Sequence, residues 1–413
     1  MPNAPTRFDV AIVGGSFAGL ALALALARAG GGGLRVALLE RGRLEASEGL
    51  AADPRAFALG AGSRRLIEAI GVYSRVVGAA QPVAGIDITD SALGDALRPV
   101  RLSYDTIVDG EAQMVIVPSD VLRRALAEAV RAERSIEALA PCEVIVVERG
   151  AGGATLTLDG GRDLVADLVV AADGARSRLR EMAGIGVVGG SYGQRGIAVT
   201  VGHERDHVGR AVQHFLPAGP FALLPLVGRR SCITWSESEG EARRIMALDD
   251  NAFLDEAQDR AGWRLGRLKL EGPRADWPLA ARLARSLVAR RLALIGDAAR
   301  SVHPIAGQGV NLGFRDVAAL ADAISDGTAV GLDAGDGTIL ARYERWRRSD
   351  SLQATAAFSA LNALFSNDWT ALRTLRGAGL GLADRLPGLK QMLVSEAAGL
   401  TGEVPRLLRG EPV

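Results

Sequence analysis

The stretch Leu292-Ala-Leu-Ile-Gly-Asp-Ala-Ala-Arg-Ser-Val-His-Pro-Ile-Ala-Gly-Gln-Gly-Val-Asn-Leu-Gly-Phe-Arg-Asp-Val317 decides the fold, because three kinds of local structure follow one another within it. Leu292 to Ile295 is a short apolar run of buried-strand length, and Gly296-Asp297 places a carboxylate at its carboxyl end. Ligands of open α/β sheets collect at that end. Pro304 to Gly309 reads as a turn whose small residues let main-chain N–H groups come close to a ligand. A helix is predicted next. Its apolar positions Val310, Leu312, Phe314, Val317 and Leu320 follow a helical period only in part, but no Pro interrupts the run to Ile324. A helix start behind a glycine turn is an anion site, since its first N–H groups are unpaired and the peptide dipoles add there.

The same arrangement opens the chain. Asp9-Val-Ala-Ile-Val13 reads as a central parallel strand, Gly14-Gly-Ser-Phe-Ala-Gly19 as a turn, Leu20 to Arg28 as a helix buried on most sides, and Leu34 to Glu40 as a second strand. This context raises the glycine motif above chance as a dinucleotide site. Gly14 makes the tight turn and Gly19 lets the helix pack on the strand. Glu40, 21 residues past Gly19, can accept hydrogen bonds from a ribose. Ser16 holds the middle glycine position of the fingerprint, where a small side chain still clears a pyrophosphate at some cost in affinity.

Length and composition bound the remaining choices. The 413 residues leave room for two or three domains and a sizeable core. Lys and Arg total 48 against 48 Asp and Glu, so no broad basic field argues for nucleic acid as a partner. Cys142 and Cys232 lie far apart and match no metal or redox spacing, which fits a reduced, cytoplasmic setting. The first residues run into a strand without a charged-then-apolar leader, and the longest apolar helix candidate, Leu20 to Ala29, is far below the roughly 20 residues of a membrane span. A soluble protein is expected, or one peripheral at the inner face of the membrane.

Gly296-Asp297-Ala298-Ala299-Arg300, His303-Pro304 and Gly307-Gln308-Gly309-Val310-Asn311-Leu312-Gly313 together resemble the flavin hydroxylases of ubiquinone biosynthesis, a branch of the FAD-dependent aromatic hydroxylase superfamily. The family pattern there is G-D-A-A-H, H-P and G-Q-G-x-N-x-G, and Arg300 departs from its His. The resemblance implies that Asp297, at the turn Gly296 begins, meets the ribityl chain of FAD. It further implies that the amides from Gly307 through Gln308 and Gly309 to Asn311, behind Pro304, face the flavin pyrimidine edge. Two other segments extend it. Leu168-Val-Val-Ala-Ala-Asp-Gly-Ala-Arg-Ser-Arg-Leu-Arg180 resembles D-G-x-x-S-x-x-R, which gives Asp173, Gly174, Ser177 and Arg180 a place over the FAD pyrophosphate and in NAD(P)H use. Asp53-Pro-Arg-Ala-Phe-Ala-Leu59 resembles D-x-R-x-x-A-L, with Arg55 near the cofactor or substrate entrance or, alternatively, in a solvated loop. Arg41, beside Glu40, joins the expected cofactor-binding set. So does Arg123, whose alternative is a solvated face of the helix Val121 to Val130 with Ser119 or Asp120 as its cap.

Around these signatures the patterning changes. Ser63 to Ile70 reads as a short helix and Gly85 to Thr89 as an alternating strand; Val144 to Val147, Thr155 to Leu158 and Asp163 to Val165 read as a small meander. Gly196 to Val201, Ala211 to Leu216, Phe221 to Leu226 and Ser231 to Trp235 are period-two runs of an antiparallel sheet. Such a sheet would lay an apolar floor beneath the flavin ring. Thr338 to Gln353 is a charged helix, and Phe358 begins a Leu-rich tail whose apolar and Arg-bearing faces would suit a membrane surface, a partner from the same pathway, or packing on the flavin domain. The expected class is α/β: a Rossmann-like FAD-binding domain (1–75, 100–185 and 280–345), an antiparallel substrate sheet (76–99 and 186–279) and C-terminal helices (346–413).

The activity the resemblance implies is hydroxylation of the aromatic ring of a polyprenylated phenol. NAD(P)H reduces the flavin, and dioxygen reoxidises it through an electrophilic C4a peroxide. The protein then has to orient the ring and exclude water. His303 is expected either as a proton relay or as a structural group bonded to the backbone. Arg300, which cannot accept a proton, is expected either beside an anionic flavin or phenolate or out in solvent. Two other classes compete: an FAD-dependent reductase or halogenase of the same fold, and a non-catalytic subunit of a biosynthetic assembly. Ring position, tail length, NADH against NADPH and oligomeric state stay open at this point.

Overall fold

A computed structural model describes residues 6–29, 33–44, 53–93, 98–366 and 402–413, with scattered positions between 376 and 400. Thr6–Val13 is the hub of the first sheet. Its Val10, Ala11 and Ile12 are fully buried, the mark of a strand covered on both faces. It pairs in parallel with Val36–Leu39 on one side and with Asp163–Ala171 on the other; Ile136–Leu139 continues the parallel order beyond Val36–Leu39. Asp163–Ala171 forks the sheet. Its first half pairs antiparallel with Ala154–Leu158, and its second half pairs in parallel with Leu292–Leu294, the strand that opens the deciding stretch. The three runs read as a small meander are therefore part of this sheet, the first two at its edge and the third inside one nine-residue strand.

The helices fit the pattern of their apolar residues. Phe17–Ala27 buries every residue from Ala18 to Leu26, as a helix apolar all round must, and crosses the 21-residue helix Gly309–Ala329. Gly19 lies where the first turn meets the sheet: a Cβ there would sit 1.9 Å from the Gly14 carbonyl oxygen. Ser119–Ala132 has Pro118 at its N-cap position and no side-chain cap, contrary to the expected Ser119 or Asp120 cap. The Ser119 hydroxyl donates to Asp53 instead, at 2.6 Å. The charged helix and the start of the tail, read as two pieces, form one helix, Gly337–Phe365. Most of the tail from 367 to 401, the middle of the expected C-terminal helical region, lies outside the described residues.

The second sheet has eight strands, in the order Arg300–Ser301, Leu268–Ala284, Val187–His203, Arg230–Ser238, Gly219–Leu226, Arg210–Leu216, Gly85–Asp90 and Val100–Asp105. All of its pairings are antiparallel except Arg210–Leu216 against Gly85–Asp90, which is parallel and corrects the all-antiparallel expectation. Val100–Asp105 pairs with Gly85–Asp90, so the boundary expected at residue 100 falls on the wrong side of this strand. Two helices, Glu239–Met246 and Asp250–Ala261, cover one face of this sheet, with Phe253 and Ala257 in one core with Trp235 of the strand Arg230–Ser238. Among the described residues no helix is long and apolar enough to cross a membrane.

One buried ionic cluster ties these parts together. Asp316, on the 309–329 helix, is fully buried; its carboxylate accepts two bonds from Arg300 (2.9 and 3.0 Å), one from Arg347 (2.9 Å) and one from the Gly296 amide (3.0 Å). Arg300 also donates to the Leu312 carbonyl at 2.6 Å. Arg300 thus neither lines a ligand space nor points to solvent, correcting both expectations: its charge is matched inside the protein. Tyr343, from the same helix as Arg347, donates to the Leu294 carbonyl at 2.7 Å. Removing this carboxylate leaves buried Arg300 without its ion-pair partner and Arg347 with Asp350 alone, a loss of about 3–5 kcal/mol. Asp316→Asn is therefore expected to unfold at clearly lower denaturant, and Arg300→His to be destabilised as well. Equilibrium unfolding curves that superpose on the parent's would remove the cluster from the fold's foundations.

Candidate functional site

The carboxyl ends of Thr6–Val13 and Leu292–Leu294 open into one cavity of about 1320 Å³ that continues over the second sheet. Single drug-sized ligands take roughly 300–1,000 Å³, so this space suits a large cofactor together with a second molecule. Its first wall is the turn at Ser16, Phe17 and Ala18. Gly14 adopts φ +117°, and a Cβ on it would meet the Ala172 carbonyl oxygen at 2.3 Å; only glycine closes this turn. The Ser16 hydroxyl donates to that same carbonyl (3.3 Å) and does not cap the helix, so the first N–H groups of Phe17–Ala27 stay available to a ligand. Glu40 folds back on the turn and accepts from the Gly15 amide (2.5 Å) and the Gly42 amide (2.8 Å). Arg41 beside it is exposed.

The second wall joins two of the sequence signatures. Gly174, at φ +85°, lines the cavity, and no atom lies within 4 Å of the point where a Cβ would stand; Asp173 is behind it. One Asp173 oxygen accepts from the Leu179 amide (3.2 Å); the other is buried with no hydrogen-bond partner among the described residues. Ser177 caps its own short helix. Arg180 is buried and donates to the carbonyls of Ala298 (3.0 Å) and Ala175 (3.2 Å), which staples this segment to the Gly296-Asp297 turn. Ser177 and Arg180 are therefore wall-building groups.

The third wall is the deciding stretch. Gly296, Asp297, Pro304, Gly307 and Gly309 all line the cavity. Asp297 is accessible, but into the cavity and not to bulk solvent. Enclosure raises its carboxyl pKa, with the Arg300 and Arg55 charges opposing the rise. Gln308, half-buried and off the lining, occupies the N-cap position of Gly309–Ala329 without capping it by its side chain; a second helix start is thus open toward the cavity. Asn311 clasps this turn to Ala56–Gly60, accepting from the Gly60 amide (3.2 Å) and donating to the Ala58 carbonyl (2.7 Å) and to Gln308 (3.2 Å). His303 lies behind the lining, fully buried, with Nε2 3.3 Å from Gln194 Oε1 and its ring edge-on to Tyr192. Burial pushes its pKa down to about 4, so it is neutral at physiological pH.

Arg55 belongs to the lining, not to a solvated loop. It pairs with Asp53 (2.7 and 2.8 Å), and its guanidinium lies over the rings of Trp277 and Phe57. Arg123 is half-buried on its helix, outside the cavity lining. Asp316, Arg347, Trp277 and Gln213 are not singled out by any pattern in the sequence, save that Asp316 is a carboxylate inside an apolar helical run.

Two uncapped helix starts, glycines at which a Cβ would collide or no side chain intrudes, and a carboxylate enclosed at a strand end make a fitting cradle for FAD, whose anionic centres are a pyrophosphate and, when reduced, a ring edge. The comparisons agree. The family model described as FAD binding domain matches residues 7–357. The chain is 39% identical to "Ubiquinone hydroxylase UbiL" of Rhodospirillum rubrum, over 98% of this chain and 93% of that one. It is 33% identical to "3-demethoxyubiquinol 3-hydroxylase" of Escherichia coli, over 97% and 100%. Among solved structures, p-nitrophenol 4-monooxygenase of Pseudomonas putida superposes with a TM-score of 0.79 over 96% of this chain and 99% of its own, at 20% identity, and shares the fold. The chain belongs to the FAD-binding domain family and, within it, to the flavin-dependent hydroxylases of ubiquinone biosynthesis.

Proposed function

We propose that this protein hydroxylates the aromatic ring of a polyprenylated phenol in ubiquinone biosynthesis, consuming NAD(P)H and O2 and releasing NAD(P)+ and water. The observation that carries the reading is the single cavity, glycine-walled at one end and floored by an apolar sheet at the other. A relative named as a ubiquinone hydroxylase, alike over nearly the whole chain, supports the substrate class. FAD, when bound, supplies the transfer of electrons from the nicotinamide and the activation of dioxygen. The chain's own residues have simpler tasks. The amides at Phe17 and Gly309 face the anionic parts of the cofactor, and Asp297 accepts from a ribityl hydroxyl. Glu40 fixes the glycine turn and is proposed to receive the ribose there. Phe215, Leu361 and Phe365 close the substrate end against water, with Phe215 and Phe365 stacked at 4.0 Å.

His303 is proposed as a neutral support of the turn and not as a titrating base, because its Nε2 is engaged with Gln194 and its ring stands behind the lining. The nicotinamide cofactor is proposed to visit the open side of the cavity, where Arg176 and Arg282 line it. A prenylated substrate partitions into lipid, which favours work at the inner face of the membrane, alone or beside other proteins of the pathway.

Deleting the gene in its host is expected to cause accumulation of a prenylated phenol lacking one ring oxygen; an unchanged quinone pool would count against the reading. At the level of the cofactor, Asp297→Ala should weaken FAD by roughly tenfold or more, since a hydrogen bond to a charged acceptor is worth about 1.5–3 kcal/mol. Titration of the apoprotein with FAD measures this, and an unaltered dissociation constant would take Asp297 out of the cofactor site.

A further inference from the structure

The sheet floor of the cavity is built in rows of cross-strand partners. One row runs Leu102, Ile88, Gln213, Ala222, Thr234 across five strands, and all five residues line the cavity. Gln213 stands in the middle of the row with Ile88 on one side and Ala222 on the other. As placed, its Nε2 is shielded from solvent and cavity alike and has no hydrogen-bond partner among the described residues, so a ligand in the cavity reaches it only after a half-turn of the amide. A shielded amide donor with nothing to bond is costly to the fold, and protein interiors rarely keep one unless a ligand or an ordered water completes it. The cost is understandable at a place built to recognise an oxygen.

We propose that Gln213 is the subsite for the oxygen substituent of the substrate's aromatic ring, and that this contact sets which ring carbon is presented to the flavin. The inference rests on the reading that a prenylated phenol enters this cavity. The carboxamide suits either form of the ring oxygen: as placed, Oε1 accepts from a phenol O–H, and after a half-turn of the amide Nε2–H donates to a phenol or methoxy oxygen. From Gln213 the row is apolar through Ile88 and Leu102 to Val100–Asp105, the last strand of the sheet. That direction takes the hydrocarbon tail toward the edge of the sheet. The ring is then held at two points, its oxygen on Gln213 and its tail over Ile88, which fixes its rotation in the plane above the floor.

The test uses the FAD-loaded protein and a matched pair of probes, 2-prenylphenol and prenylbenzene, with binding read from the flavin absorption spectrum. The parent should prefer the phenol by about tenfold, the worth of one ordinary hydrogen bond. Gln213→Met keeps the volume and loses both polar atoms, so it should bind the two probes about equally, hold FAD as the parent does and scatter the position of hydroxylation. Gln213→Leu should behave in the same way and serves if the first variant loses FAD. A parent without preference, or a variant that retains the parent's preference and product pattern, overturns the assignment. A parent that prefers the phenol yet forms no hydroxylated product would instead leave the subsite standing and remove the reading it rests on.

Discussion

The carboxylate of Asp316 is the point on which the site depends. It is completely buried, it sits between the guanidiniums of Arg300 and Arg347, and it also accepts from the Gly296 amide. Each contact comes from a different part of the chain: the turn after the last parallel strand, the two-residue strand that follows, and the long helix Gly337–Phe365. Coulomb attraction inside the protein is strong enough to hold such a group only where the geometry is good, and the cost of separating its members is correspondingly high. The consequence for the site is positional. With its Gly296 amide anchored from behind, the turn has one way to lie, and Asp297 faces the cavity.

From this anchor the cavity divides by chemistry. The cofactor end is made of backbone: glycine turns, helix starts and one enclosed carboxylate, all suited to an anionic dinucleotide. The floor is made of side chains from the second sheet, mostly apolar, with Gln213 as a polar interruption. Arg180 and Asn311 brace the cofactor end, one binding the Gly174 segment to the Asp297 turn and the other binding the helix start to Ala56–Gly60. A rigid wall at the cofactor and a shaped, water-poor floor beneath it are what a reaction needs when its chemistry belongs to the cofactor and its selectivity to the protein.

The nucleotide half of the fold was legible because each of its turns requires particular small residues in a fixed order. Gly14 and Gly19 cannot be replaced without collision, and the run from Pro304 to Gly309 announces a close backbone approach. Arg300 was misread because its partner, Asp316, lies 16 residues further on, and no local pattern pairs a charge on a strand with a charge on the following helix. Ser119 looked like a helix cap, but the nearby Asp53 offered its hydroxyl a charged acceptor. The strand Leu268–Ala284 was invisible for another reason: Gly272, Pro273 and Pro278 break the signal of a strand. They are tolerated because, among the described residues, only Arg282 and Leu283 pair on that strand's second side, against Ser301 and Arg300. Gln213 was hidden in an otherwise ordinary alternating run, where sequence does not reveal which polar residue faces a cavity.

The proposed reaction inserts an oxygen atom from dioxygen into a phenolic ring. The most direct measurement supplies the FAD-loaded protein with NAD(P)H, a prenylated phenol and isotopically heavy O2, and follows the mass of the product. One heavy oxygen on the ring per nicotinamide oxidised, less the uncoupled fraction, is the predicted result. A ring that gains no heavy oxygen while the flavin is reduced and reoxidised would contradict the account, leaving a flavoprotein oxidase where a hydroxylase is claimed.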